Sequence, residues 1–536
     1  MATRKVSRLT LLNKLSTTLR LPAATVTLVA TLSACAGLPP QTPPITRAEG
    51  QETFATVYGT VAEKHIEPQK ISNLAINGLN GLSRIDSGLA VKADGEWLTI
   101  SINGMKEESF SIPADDDVES WAALSFDAYT AARKASPEIA AAKPPRIYKA
   151  IFETALAPLD RFSRYSTARK AKDNRAKRNG YGGIGLRFKV KDSQVIVTEV
   201  FKGGPAQSSG ILRNDLITRI DGLPTDKMDQ EQVKNMLRGK RGTKVSLVIS
   251  RANEPRSKRY ELARKKVVVP TVSLYLENGI AQIAIKGFNR DTSKEVRKTL
   301  EALAQRSDIA GIALDLRGNP GGLLKQSIRV ADLFLADGLI VSQRGRHPAS
   351  TQAYTADAEN YLPDLPMVVL VDGRTASSSE VLATALQDRN RAVVIGTSSY
   401  GKGTVQTVIR LVNNGELTLT WSRLIPPSGY VMHELGVLPA ICTNPVDSEG
   451  NAHEIGAGDA LATIPANMDS LHRRAQSWRD LSHEESAERN LLRDSCPAEG
   501  QKDGPHLEIA HRLLQLPSIY HSLILGSTAP QTAKRP

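Results

Sequence analysis

The chain has 536 residues, 40% of them apolar and 23% charged, with a formal net charge of +13 at neutral pH. That length is too great for a single core, so about two to four domains are expected, and the composition excludes a largely disordered chain. Nucleic acid is excluded as a partner too: the densest basic run, residues 161–178, sets eight Lys and Arg against Asp173 without the regularly interleaved aromatics on which bases stack, and is expected to be a solvated linker face.

In chain order, Arg4, Lys5, Arg8, Lys14 and Arg20 precede an apolar run at 21–32 that ends in "LSAC". A basic stretch before an apolar run too short to span a bilayer predicts an export signal. "LSAC" resembles a bacterial lipobox, which implies a lipid anchor on Cys35 as the first residue after cleavage. The competing reading cuts after Ala36 at Ala34-x-Ala36 and discards Cys35. Either cleavage leaves Cys442 and Cys496 as a candidate disulfide in an oxidising compartment, with two free thiols as the alternative. No other stretch approaches the length of apolar chain needed to span a membrane.

A proline-rich tether is expected at 36–50, then a mainly helical region at 51–180. Its helical patterns fall near 51–65, 69–83, 115–136 and 145–158, and a hairpin turns at Asp94-Gly95. Asp115, Asp116 and Asp117 resemble a metal cluster, but acids opening a helix suit the positive end of its dipole, and no metal site is expected. Residues 181–265 read as short strands with a helix near 229–238. Gly183-Ile184-Gly185-Leu186 opens the first long strand, where converging N–H groups suit a carboxylate. Followed by this order of elements, it resembles a PDZ domain, which implies a peptide C-terminus laid along the strand beside Leu186. From 266 to 445 strands and helices alternate as an α/β core, and the polar tail at 446–536 shows one helical pattern near "PHLEIAHRLLQL".

Candidate chemistry is confined to that core. None of the His-Glu pairs at 433, 453 and 483 has a second His four residues on, and there is no Gly-x-Ser-x-Gly motif and no P-loop. Ser377-x-x-Glu380, ahead of an apolar run, is a capping box. Lys402 lies between two glycines and is the one charge in residues 392–407. A lone amine in such a setting can be desolvated until it acts as a base, and Ser–Lys pairs substitute for histidine chemistry. "LDLRGNPGG" at 314–322 ends a buried strand in a rigid turn.

"LRGNPGG", "TASSSEVLATALQDRNRAVVIG", "YGKGTVQ" and "PPSGYVMHELGVLP", in this order behind a PDZ-like segment, resemble the carboxyl-terminal processing (tail-specific) serine peptidases. The resemblance covers about 145–442. It implies a crotonase/ClpP-like core of ββα units with an inserted PDZ domain. It also implies that Ser377 is the nucleophile, Lys402 the base and Gln406 its support, with an oxyanion hole from the N–H groups of Gly318 and Ser378. Four extended residues span about 13 Å, so Gln406 meets Lys402 only where the chain bends. Ser378 stands where the family often has alanine, Ala440 where an acid is common, and about 84–144 is an insertion relative to simpler members.

The function expected is that of an exported serine endopeptidase, without cofactor or metal, that captures periplasmic proteins by their C-termini, with room for an adaptor protein. The alternative is a catalytically inactive PDZ scaffold at the cell envelope. A crotonase-type acyl-CoA enzyme is disfavoured by the export signal, the PDZ-like segment and the Ser/Lys pair.

Overall fold

A computed structural model describes residues 44–357, 360–446, 449–480, 486–500 and 504–525. The export signal, the lipobox with Cys35 and most of the tether lie outside the described residues. No helix among the described residues is long and apolar enough to cross a membrane.

The N-terminal region packs helices Arg47–Lys64, Ile71–Asn80, Val118–Ala135 and Pro144–Leu156 around Phe54, Tyr58, Trp121, Tyr148 and Phe152, all buried. The hairpin forms at Asp94-Gly95, and a third strand, Met105–Ser111, pairs beyond it. Its residues are mostly exposed, so no apolar alternation marks it in the sequence. Asp117 caps the helix Val118–Ala135 by accepting the Ser120 N–H at 3.0 Å, and Asp115 accepts the Ser72 N–H at 2.9 Å. No cluster of three metal-binding side chains occurs among the described residues.

The basic run departs from the expected linker, because it folds as the strand Arg164–Ser166 and the helix Ala168–Asn179. That helix buries only Ala171, so apolar periodicity could not reveal it. Ion pairs hold it instead. Arg175 and Arg178 reach Glu416 Oε1 at 3.0 and 2.8 Å, and Asp173 pairs with Lys234 and Arg238 at 3.1 and 3.2 Å.

Residues 186–263 form a five-strand antiparallel path with Leu186–Lys191 at one edge and Lys258–Ala263 at the other, and the helix Gln230–Leu237 lies beside the first. Ile184, Val197, Ile217, Val233 and Leu247 make its own core. The short strands Tyr181–Gly183 and Lys265–Val267 pair where the chain enters and leaves this unit.

The C-terminal half is built on a six-stranded sheet in the order Val272–Glu277, Ile280–Ile285, Gly311–Asp315, Met367–Val371, Val393–Gly396 and Ile441–Cys442. The first pair is antiparallel and the others are parallel. Parallel sheets bury both faces, and alternate residues here do so. Ile312, Leu314, Met367 and Val369 face the helices Thr292–Leu303, Leu324–Asp332 and Ser378–Asp388. Ala313, Val368, Leu370 and Ile395 meet Ile509, Ala510, Leu513 and Leu514 of the tail. The tail, which reads as polar and uninformative, therefore closes the second face with helices such as His506–Leu514. A disulfide joins Cys442 to Cys496, Cα to Cα 6.0 Å.

Candidate active site

The strand Met367–Val371 leads into Asp372, whose Oδ1 accepts the N–H groups of Gly318, Arg374 and Thr375 at 2.8, 3.1 and 3.0 Å. The chain then turns at Ser377 with φ +59° and ψ −119°, an unfavourable backbone for a non-glycine residue, and the helix Ser378–Asp388 begins. Such strain costs about 1–3 kcal/mol and persists only where its surroundings enforce it. They do so here. The Ser379 hydroxyl donates to Asn319 O at 3.0 Å and the Ser378 hydroxyl to Gly322 O at 3.1 Å. Gly321 lies so close that a Cβ there would sit 2.7 Å from Ala376 O. Two of the three serines thus hold the turn together by their hydroxyls, and Ser377, half-buried, sits at its apex.

Glu380 links this turn to the lysine. It is fully buried, its Oε2 accepts the Ser377 N–H at 2.5 Å and the Lys402 N–H at 2.9 Å, and its Oε1 accepts Ser399 Oγ–H and the Gly401 N–H at 2.5 and 2.7 Å. The backbones of Ser377 and Lys402 therefore lie on either side of one carboxylate oxygen. Burial pushes the Glu380 carboxyl up, against the pull of these four donors. The capping box marks Glu380 in the sequence only as a helix cap, and its reach to residues 399–402 carries no local signal.

The Lys402 ammonium lies 4.8 Å from the centre of the Phe162 ring. Burial, assisted by Arg164 and opposed by Glu380 and Asp160, pulls its pKa from 10.5 down to about 8. Phe162 is placed by Asp160, whose Oδ1 accepts the N–H groups of Phe162 and Ser163 at 2.7 and 2.8 Å. Burial works to raise the Asp160 carboxyl, but hydrogen bonds from His65, Ser163 and Phe162 outweigh it and hold it well below the usual range.

Two implied roles are corrected by this geometry. The Gly318 N–H is already donated to Asp372, so it is not free for an oxyanion; the Ser378 N–H, in the first turn of its helix, has no acceptor among the described residues. Gln406 does not support Lys402 directly: its amide donates to Thr404 and Thr420 Oγ1 at 3.0 and 3.4 Å, and Thr420 in turn donates to Asp160 at 3.0 Å. The pairing of the Gln406 strand with Glu416–Ile425 shifts register between Val405 and Gln406.

A cleft of about 820 Å³ runs from Ile184, Gly185, Leu186 and Phe188 to Phe288, Pro320, Gly321 and Gly322. Gly183 does not line it, being paired with Lys265, and the Ile184 side chain is buried in the core of its own unit. The Gln230 amide donates to Phe188 O at 3.2 Å and accepts the Val190 N–H at 3.0 Å, covering part of the free strand edge.

Residues 279–443 match peptidase family S41, and residues 174–250 match the PDZ domain. The chain is 34% identical over 310 residues to a carboxy-terminal-processing protease of Bartonella bacilliformis, covering 57% of this chain and 71% of that protein. It belongs to the S41 carboxyl-terminal processing peptidases. This S41 peptidase is also 33% identical over 264 residues to the carboxy-terminal processing protease CtpA of Bacillus subtilis, covering 49% of this chain and 56% of that one, little more than half of that relative's length. Among solved structures, a photosystem II D1 C-terminal processing protease superposes with a TM-score of 0.38 at 25% identity, covering 74% of this chain and 92% of that chain. The S41 peptidase is therefore a serine-type peptidase carrying a PDZ domain, with its strained Ser377 turn and the Lys402 loop inside the segment matched by the family.

Proposed function

We propose that this peptidase is exported, captures protein chains by their C-termini on the Leu186–Lys191 edge, and cleaves them with Ser377 as nucleophile and Lys402 as base. The observation that carries the reading is the shared Glu380 oxygen, which ties the Ser377 turn to a lysine whose pKa falls to about 8. In its neutral form the amine takes the Ser377 Oγ proton as Oγ attacks the scissile carbonyl carbon. The Ser378 N–H, at the positive end of its helix, stabilises the oxyanion. The resulting ammonium then protonates the departing amine, leaving an acyl ester on Ser377. Lys402, neutral again, deprotonates the water that hydrolyses this ester.

The PDZ edge and Gly321 bound one cleft, so a captured tail leads towards the Ser377 turn. Export and a lipid anchor on Cys35 rest on the basic and apolar N-terminal pattern, and the Cys442–Cys496 disulfide accords with an oxidising compartment such as the periplasm. The test compares a peptide with a free C-terminus and its C-terminal amide. The wild type should cleave the free form with the higher kcat/KM, Ser377→Ala and Lys402→Ala should be inactive on both, and Ser379→Ala should retain activity. Substantial cleavage by Lys402→Ala would refute the pair; inactivity of the wild type towards every free C-terminus would leave the scaffold reading.

A further inference from the structure

Residues 489–500 lie outside the segment that matches the family, yet they touch both loops that carry the candidate pair. In the helix Ser486–Asp494, Arg493 spreads its guanidinium over four carbonyls. Nη1 donates to Glu434 O and Leu435 O at 2.6 and 3.1 Å, and Nη2 to Ser399 O and Tyr400 O at 2.9 and 3.0 Å. Gly401 passes so near that a Cβ there would fall 2.7 Å from Nη1. Arg489 holds the neighbouring segment through Val431 O and His433 O at 3.0 and 2.5 Å.

Beyond this helix the chain is anchored by the disulfide of Cys496 to Cys442. It then crosses to the other loop. Glu499 O accepts the Gly373 N–H at 2.7 Å and the Thr397 hydroxyl at 3.0 Å, and Arg374 Nη2 donates to Gly500 O at 2.8 Å. Gly373 and Arg374 enter the Ser377 turn, and Thr397 enters the Lys402 loop.

We propose that residues 489–500 are a strap that sets the Ser377 turn and the Lys402 loop relative to each other, with Arg493 the positioning residue for the lysine. The proposal rests on the assignment of that pair. A guanidinium suits the task because its planar fork reaches acceptors on two sides, whereas an ammonium of equal charge is a single point. The strap grips the loops from outside the substrate cleft, whose walls are built by other segments. Its loss should therefore affect turnover, not capture. A loosened loop also admits water to the amine, which raises the pH at which it becomes neutral. The charged or titratable groups around that loop are Asp160, Arg161, Arg164, Glu380, Tyr400, His433, Glu434, Arg489, Asp494 and Arg493 itself.

The test uses the whole protein and a peptide with a free C-terminus. Arg493→Ala should lower kcat by about tenfold to a hundredfold with KM within about twofold of wild type. It should also move the alkaline rise of kcat/KM upward by about one pH unit. Arg493→Lys should fall between the two in both readouts. As a second measurement independent of folding a variant, dithiothreitol applied to wild type exchanges the Cys442–Cys496 bond for two thiols and its own cyclic disulfide. The reduced enzyme should shift in the same direction. Wild-type kcat in Arg493→Ala, or a lowered kcat with an unmoved pH profile in both Arg493→Ala and the reduced enzyme, would overturn the strap while leaving the pair intact. Activity in Lys402→Ala would overturn both.

Discussion

Replacing Glu380 by Gln changes one oxygen of a buried group to an NH₂ and deletes its charge, leaving the shape alone. Every partner of this carboxylate is a donor: the N–H groups of Ser377, Gly401 and Lys402, and the Ser399 hydroxyl. An amide accepts on one side only. If its NH₂ faces Ser377 and Lys402, two backbone N–H groups lose their acceptor; if it faces Ser399 and Gly401, one does and the hydroxyl must rotate. Each buried donor left unsatisfied costs about 1–3 kcal/mol, so the second orientation should prevail, with a destabilisation of that order. In that orientation the amide oxygen still joins the Ser377 and Lys402 N–H groups, but the Gly401 N–H beside Lys402 loses its acceptor, so turnover should fall by about tenfold. The pH profile gives the decisive sign. The Glu380 charge opposes the lowering of the Lys402 pKa, so removing it should bring the alkaline rise of kcat/KM down from about 8. Steady-state kinetics of Glu380→Gln across the pH range, together with a urea titration, measure both effects. A rise that moves to higher pH, or an unchanged kcat, would refute the tie through Glu380.

Lys402→Met should abolish cleavage and stabilise the folded protein at neutral pH. The amine has a folded pKa of about 8 against 10.5 in the open chain, so the unfolded state binds more protons between these values. The destabilisation is full below pH 8 and fades towards 10.5, so the difference in Tm between variant and wild type should narrow over that window. A gap that widened there would contradict the burial of the amine. Gln230→Ala should tighten binding of a C-terminal peptide, because an added strand must displace the Gln230 bonds to Phe188 O and the Val190 N–H. With each net bond worth about 1 kcal/mol, a gain of roughly fivefold or more is expected in fluorescence anisotropy; weaker binding would instead make Gln230 a contact to the peptide.

Local pattern is legible where neighbours in sequence are neighbours in space. The Asp94-Gly95 hairpin, the Asp117 cap and the Glu380 bond to the Ser377 N–H all close within a few residues, and their chemistry can be read from the letters. The buried runs at 280–285 and 311–315 likewise declare an α/β core, because a parallel strand must be apolar on both faces. Motif order placed Ser377 and Lys402 as candidates, but it could not say where hydrogen-bonding capacity is spent. Only the tertiary structure commits the Gly318 N–H to Asp372, turns Gln406 towards Thr420, and brings Phe162 over an amine 240 positions away. It alone lays Arg493 across the carbonyls of Ser399 and Tyr400. The physical reason is common to these cases. A donor, an acceptor or a ring face is satisfied by whatever lies within about 3–5 Å, and packing of distant segments decides what that is.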